Sequence, residues 1–130
     1  MALAYAVSLR NTRLDAIAAA IGNGGLVRLY DGSRPATGGT ATTKLAELTG
    51  GSPFAPGSSG GVLTAGAIAQ DASADASGTA TWGRVVTSGG TFVADFSVGT
   101  SGSDLNLTTN VIVAGQPVSI SGFAVTEGNP

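Results

Sequence analysis

"TATWGRVVTSGGTFVADFSVG" (residues 79–99) decides the fold. Residues alternate on both sides of Ser88-Gly89-Gly90. Ala80, Trp82, Arg84 and Val86 share one face of the first run. Phe92, Ala94, Phe96 and Val98 share one face of the second, with Val93 and Asp95 opposite. Side chains of an extended chain point alternately to its two faces, so two such runs around a glycine-rich turn predict a β-hairpin. Just upstream, Asp75-Ala-Ser-Gly78 reads as the turn that launches the first strand. Its aspartate accepts a local backbone bond, and its glycine supplies a positive φ.

The same period extends in both directions. "LVRLYDG" (26–32) sets Val27 and Leu29 against Arg28 and Tyr30. "TTKLAELTG" (42–50) sets Thr43, Leu45 and Glu47 against Lys44, Ala46 and Leu48. "VLTAGAIAQ" (62–70) is a weak strand interrupted by Gly66, and "NVIVAG" (110–115) is a short β-branched run. "PVSISGFAVTE" (117–127) alternates through Val118 and Ile120, then resumes out of phase at Phe123 and Val125, as across a β-bulge at Ser121-Gly122. "GGSPFAPGSSGG" (50–61) and "GTSGSD" (99–104) read as loops, the first mobile enough to become ordered on a partner.

One segment has the helical period. In "SLRNTRLDAIAAAIG" (8–22), Leu14, Ile17, Ala18 and Ile21 form one apolar face. Ser8 is the expected N-cap, and Gly22 the left-handed residue that ends the helix. The expectation is a mainly β chain: an antiparallel β-sandwich or small barrel of about six to eight strands carrying one N-terminal α-helix. Residues 1–24 form the arm and helix, and residues 25–130 the β-sandwich, in a single globular domain.

Composition narrows the function. Of 130 residues, only six are basic and eight acidic, 11% of the chain, where soluble domains carry about 25%. A surface this poor in charge is either neutral and polar or covered by other subunits. Arg10, Arg13, Arg28, Arg34, Lys44 and Arg84 are dispersed and the net charge is −2, which gives nucleic acid no basic footprint. No run approaches the ~18 apolar residues of a membrane span, and no basic, apolar leader opens the sequence. Cysteine and histidine are both missing, which removes thiolate chemistry, the commonest general base and the commonest transition-metal ligand.

The remaining candidates are weak in chemistry. "GSSGG" (57–61) resembles the glycine-flanked serine of serine hydrolases, but Ser58 and Ser59 have no histidine to activate them, and Lys44 stands in no supporting motif. Asp71, Asp75, Asp95 and Asp104 offer oxygen to calcium without the dense carboxylate ladder of a calcium loop, and turn-capping explains them as well. No "GxxxxGK[ST]" exists for nucleotide phosphates. Trp82 reads as a core or interface residue; with Tyr30 it is also the one candidate platform for a glycan. Arg84 reads as stacking on a ring, pairing with an acid across a subunit boundary, or solvated at a sheet edge. No catalytic residue, metal ligand or cofactor is expected.

Three stretches carry a resemblance: "RNTRLDAIAAAIG" (10–22), "QDASADASGTATWGRV" (70–85) and "AGQPVSISGFAVTEGN" (114–129). As an ordered set spanning most of the chain, they resemble small virion proteins from the structural-gene modules of tailed double-stranded DNA bacteriophages. The resemblance implies a non-enzymatic structural protein made in the host cytoplasm. The role inferred is a capsid decoration, or cement, subunit on the outer head. It would bind the major capsid protein as a homo-oligomer, with a trimer favoured, and without nucleic acid or membrane. Leu14, Ile17, Ile21, Trp82 and Arg84 are the candidate interface residues. The alternatives are a tail-tube, tail-tip or fibre-associated subunit, and a glycan-binding module.

Overall fold

In a computed structural model that describes residues 4–120 and 122–126, the hairpin at 79–99 forms the centre of the main sheet. In chain order the elements are α1 (Val7–Ile21), β1 (Leu26–Tyr30), β2 (Lys44–Thr49), β3 (Ser58–Ser59), β4 (Val62–Thr64), β5 (Gly78–Thr79), β6 (Trp82–Val86), β7 (Phe92–Gly99), β8 (Leu105–Asn106), β9 (Val111–Ile112) and β10 (Ala124–Thr126). The chain is mainly β with one N-terminal helix, and its main sheet is curled into a half-barrel. That sheet runs β2-β1-β6-β7-β8; β10-β4-β3 and β5-β9 form two smaller ones.

The β6–β7 hairpin turns at 88–90 as its glycines require, with Gly90 N–H donating to Thr87 O at 2.9 Å. It departs from strict alternation once. Val85 faces Ala94 but Val86 faces Phe92, so Val93 is an inserted residue. The bulge moves Phe92 off the core face, where its pattern placed it, and leaves it 37% exposed. A second bulge, at Leu45, lets Leu45, Ala46 and Leu48 all turn inward from β2. Strict alternation had put Leu45 and Leu48 on opposite faces.

Other expectations need correction. The helix begins at Val7 rather than after Ser8. Ala6 occupies the N-cap without a side-chain bond, while the Ser8 carbonyl accepts from Thr12 Oγ1 at 2.9 Å. The C-terminal end is as expected, with Gly22 at φ 73°. The run 79–87 divides into β5 and β6, because β5 leaves the main sheet to pair with β9. Pairing is not wholly antiparallel, since β7 and β8 run parallel over Val98–Leu105 and Gly99–Asn106. Among the described residues there are ten short strands, where about six to eight were expected. Ser121 of the bulge expected at Ser121-Gly122, and residues 1–3 and 127–130, lie outside the described residues.

One hydrophobic cluster joins these parts. Leu14 and Ile21 of α1 pack with Val27, Leu29, Leu45, Leu48, Val85, Phe96, Leu105 and Phe123. Phe54 and Ala55, from the segment expected to be a mobile loop, belong to the same cluster at 2% and 4% exposure. Residues 50–61 are therefore anchored, by these two side chains and by backbone bonds from Gly50 N–H to Gly25 O at 2.7 Å and from Phe54 N–H to Gly22 O at 3.3 Å.

Candidate functional site

The outer face of the main sheet carries the Arg28–Glu47 and Arg84–Asp95 ion pairs. Register sets Glu47 of β2 opposite Arg28 of β1, Arg28 opposite Arg84 of β6, and Arg84 opposite Asp95 of β7. The result is a four-strand row of signs, minus-plus-plus-minus. Arg28 and Arg84 face each other as like charges, and each is neutralised by the acid on its far side. Arg28 Nε lies 2.7 Å from Glu47 Oε2, and Arg84 Nε lies 2.6 Å from Asp95 Oδ1. Arg84 Nη2 adds a second bond to Asp95 Oδ2 at 3.2 Å, which makes the pair bidentate. That hydrogen bond raises the guanidinium's pKa above its ordinary value, so Arg84 stays charged.

Rings enclose the Arg84–Asp95 pair. The Arg84 guanidinium carbon sits 5.3 Å from the Trp82 ring centre and 5.1 Å from that of Phe92, close enough for cation–π attraction to both. Tyr30 stacks on Trp82 at 4.4 Å with an interplanar angle of 14°. Residues 31–43 cross this face as a strap. Gly39 O accepts from Arg84 Nη2 at 2.9 Å, Gly38 N–H donates to Asp95 Oδ2 at 3.1 Å, and Trp82 Nε1 donates to Asp31 O and Thr42 Oγ1, both at 3.0 Å. Gly38 is at φ 73° with the Phe92 ring 3.4 Å from where a Cβ would stand, so this crossing needs glycine.

The sequence candidates fall into place around this frame. Leu14, Ile21 and Trp82 are at most 3% exposed, and Ile17 is half-buried against the core, so α1 packs on its own chain's strands. Arg84 finds its acid within the same chain rather than across a subunit boundary. Trp82 and Tyr30 lie on the outer face beneath the strap, at 1% and 4% exposure, and leave a glycan no open ring there. Ser58 Oγ lies 2.7 Å from Asp15 Oδ1 and 2.9 Å from Asn11 O, and Asn11 Oδ1 accepts from Gly61 N–H at 2.9 Å. "GSSGG" is thus the β3–β4 turn held against the helix. The bonds from the Ser58 hydroxyl and N–H keep the Asp15 carboxyl below its usual pKa.

The four aspartates do not converge. Asp71 Oδ2 accepts from Glu47 N–H at 3.0 Å and Asp71 Oδ1 from Ser73 N–H at 3.1 Å. Asp75 N–H donates to Leu45 O at 2.8 Å, while its carboxylate pairs with Lys44 at 3.5 Å. The "DASAD" stretch therefore covers the outer edge of β2, where a bare strand would template pairing with another chain. Asp95 holds Arg84, and Asp104 accepts from Ser97 N–H and Oγ. Among the described residues, no group of three or more carboxylates is placed to hold a metal ion, and no helix is long and apolar enough to cross a membrane.

Glu47 yields a pH prediction. Burial pushes its carboxyl up, but the Arg28 hydrogen bond and the Lys44 and Arg28 charges outweigh this, and the net pKa lies below the ordinary 4.5. A carboxyl depressed in the folded state adds stability above its unfolded pKa and loses it as pH falls through the folded one. The urea midpoint should therefore fall as pH drops below about 4.5, more steeply in the wild type than in Glu47→Gln. Equal slopes would show that the pair contributes nothing.

Sequence reasoning missed an open cleft of about 420 Å³. Ile17 and Ile21 form its helix wall; Phe54, Leu63, Phe96 and Phe123 make an apolar floor; Ser103 and Asp104 stand at its mouth. The Phe96 and Phe123 ring centres are 5.0 Å apart and those of Phe54 and Phe123 6.3 Å. No family model, no curated protein and no solved structure matches the chain.

Proposed function

We propose that the chain is a structural subunit of a tailed-phage virion: a decoration protein that binds the major capsid protein on the outer head, works as a homo-oligomer and catalyses no reaction. One observation carries the reading. The acids and serines that chemistry would require are engaged in holding the fold: Asp95 with Arg84, Asp71 on the β2 edge, and Ser58 with Asp15. The ordered resemblance of residues 10–22, 70–85 and 114–129 to small virion proteins supplies the assembly. A neutral, charge-poor surface suits close packing between copies, and cyclic symmetry lets one surface serve all of them.

A subunit that binds only assembled capsid stabilises it by mass action. Capsids emptied of this protein should therefore melt at lower temperature and recover when purified protein is added back, with one copy bound for each major capsid subunit or a fixed fraction of that number. A particle reconstruction placing a few copies on the tail would replace this reading with the tail-subunit one.

A further inference from the structure

Two strand edges that no ladder joins border the cleft: β7 belongs to the main sheet and β10 to the second. Ala94, Asp95 and Phe96 of β7 line it, as do Ala124, Val125 and Thr126 of β10. Consecutive strand residues point to opposite faces, so three in a row line one cleft where the strand presents its backbone edge. The hydrogen bonds agree. Val98 N–H donates to Thr81 O at 3.1 Å across β6–β7, and the alternation of that ladder turns the Asp95 N–H and C=O away from β6. Ala65 N–H donates to Phe123 O at 2.8 Å across β4–β10, which turns the Ala124 N–H and C=O away from β4. These four groups have no partner among the described residues.

The mouth adds a charge. Asp95 and Asp104 are the charged residues that line the cleft among those described, and Arg84 already holds the Asp95 carboxylate. Asp104 is exposed and pairs with no lysine or arginine among the described residues. Its Oδ2 accepts from Ser97 N–H at 3.0 Å and from Ser97 Oγ at 3.1 Å, which leaves Oδ1 open. Ser97 N–H is the next group along β7 that turns the same way as Asp95. Asp104 therefore caps the β7 edge where its open part begins, and sets a negative charge there.

We propose that the cleft takes an extended segment of a partner protein as an added strand between β7 and β10. Its apolar side chains, at alternate positions, would lie on the Phe54, Phe96 and Phe123 floor, and a lysine or arginine would stand at the Asp104 end. Each feature of the cleft selects one of these properties. Open N–H and C=O groups on both sides of an apolar floor call for an occupant with its own N–H and C=O on both sides, which is a β-strand. A helix keeps its backbone bonds to itself, and an alkyl chain would leave the edges to water. The floor lies on one side of the added strand, so its side chains alternate apolar and polar. An exposed carboxylate without a cation favours a basic residue over an acidic one beside it. The inference goes beyond the decoration reading, because it describes the bound segment whichever protein supplies it.

The test uses the full chain and two synthetic hexapeptides blocked at both ends, Lys-Val-Thr-Val-Thr-Val and Val-Thr-Val-Thr-Val-Lys, since the direction of the strand decides which end meets Asp104. Calorimetric titration should show one of them binding one to one, about tenfold tighter than its counterpart with glutamate in place of lysine. The Asp104→Asn variant keeps an acceptor for Ser97, so it should keep the wild-type circular dichroism and bring the two affinities within about twofold of each other. Methylating every second backbone nitrogen of the peptide should abolish binding, because the strand bonds on both sides. The Asp95 and Ala124 amides should exchange rapidly in the free protein and slowly in the complex. Failure of both lysine peptides to bind, equal affinity for lysine and glutamate peptides, or binding that survives methylation without protecting these amides would overturn the proposal. None of these results touches the decoration reading, which the capsid melting temperature tests by itself.

Discussion

Replacing Asp95 with alanine should destabilise the protein by about 3–5 kcal/mol, the cost of leaving a buried charge without its partner. The Asp95 side chain is 4% exposed and that of Arg84 11%, so water cannot substitute for the lost carboxylate. Three further losses follow from the geometry. Gly38 N–H loses its acceptor, the guanidinium loses the group that holds it between Trp82 and Phe92, and Arg28 is left facing an unneutralised Arg84 across the β1–β6 ladder. Like charges directly opposite each other in a sheet are destabilising. Against a total stability of about 5–15 kcal/mol, the variant would sit near the edge of folding. Urea denaturation followed through Trp82, the only tryptophan, measures the loss and reports loosening of the strap over that ring. The double variant Arg84→Met/Asp95→Leu should recover most of the loss, because an apolar pair of similar volume removes both charges together. If the single and double variants lose equal stability, the packing of this face matters and its charges do not.

That pair shows how much of the fold was legible beforehand. A hairpin turning at Ser88-Gly89-Gly90 in strict register places residue 84 opposite residue 94; the bulge at Val93 is what brings Asp95 opposite Arg84, so the turn position alone does not give that contact. Alternation does place Val27 and Leu29 on the buried face of β1, and the helical period finds Leu14 and Ile21. The bulges were not legible. Nothing local distinguishes Val93 from its neighbours, and the insertion becomes favourable only when Phe92 can lie over Arg84 and Gly38, which come from elsewhere in the chain. Composition misled at Phe54: glycine, proline and serine on both sides signal a mobile loop, while the buried ring and the backbone bonds from Gly50 and Phe54 to residues 22–25 fix it. Asp71 was read correctly as a turn residue, but its second contact, with the β2 edge 24 residues earlier, is tertiary. The cleft was the least visible feature. Its walls belong to α1 and to strands about 30 residues apart, and a cleft between them is a property of the assembled sheets that no single strand's sequence records.

Trp82→Ala should cost a comparable amount, about 3–5 kcal/mol, by a different mechanism. Trp82 is 1% exposed and among the largest fully buried side chains. Its removal opens a cavity between the sheet and the strap, and Tyr30 loses the ring on which it stacks. The indole N–H bonds are lost as well: Asp31 O keeps the Thr42 hydroxyl as a donor, but Thr42 Oγ1 no longer accepts from the ring. Trp82→Phe separates these contributions. It retains an aromatic face for Tyr30 and Arg84 while deleting the N–H and part of the volume, so it should lose clearly less than alanine does. Tyr30→Leu in each background completes a double-mutant cycle, and aromatic pairs of this kind couple by about 0.5–1.5 kcal/mol. A loss below about 1 kcal/mol for Trp82→Ala would mean that the strap opens readily in solution and the ring is exposed to solvent much of the time, since only a side chain already in contact with water can be truncated so cheaply. In that event the Tyr30–Trp82 face would become an accessible aromatic surface and a glycan would again have a ring to stack on, whereas the full loss fixes the strap as a permanent part of the body that α1 and the sheets build.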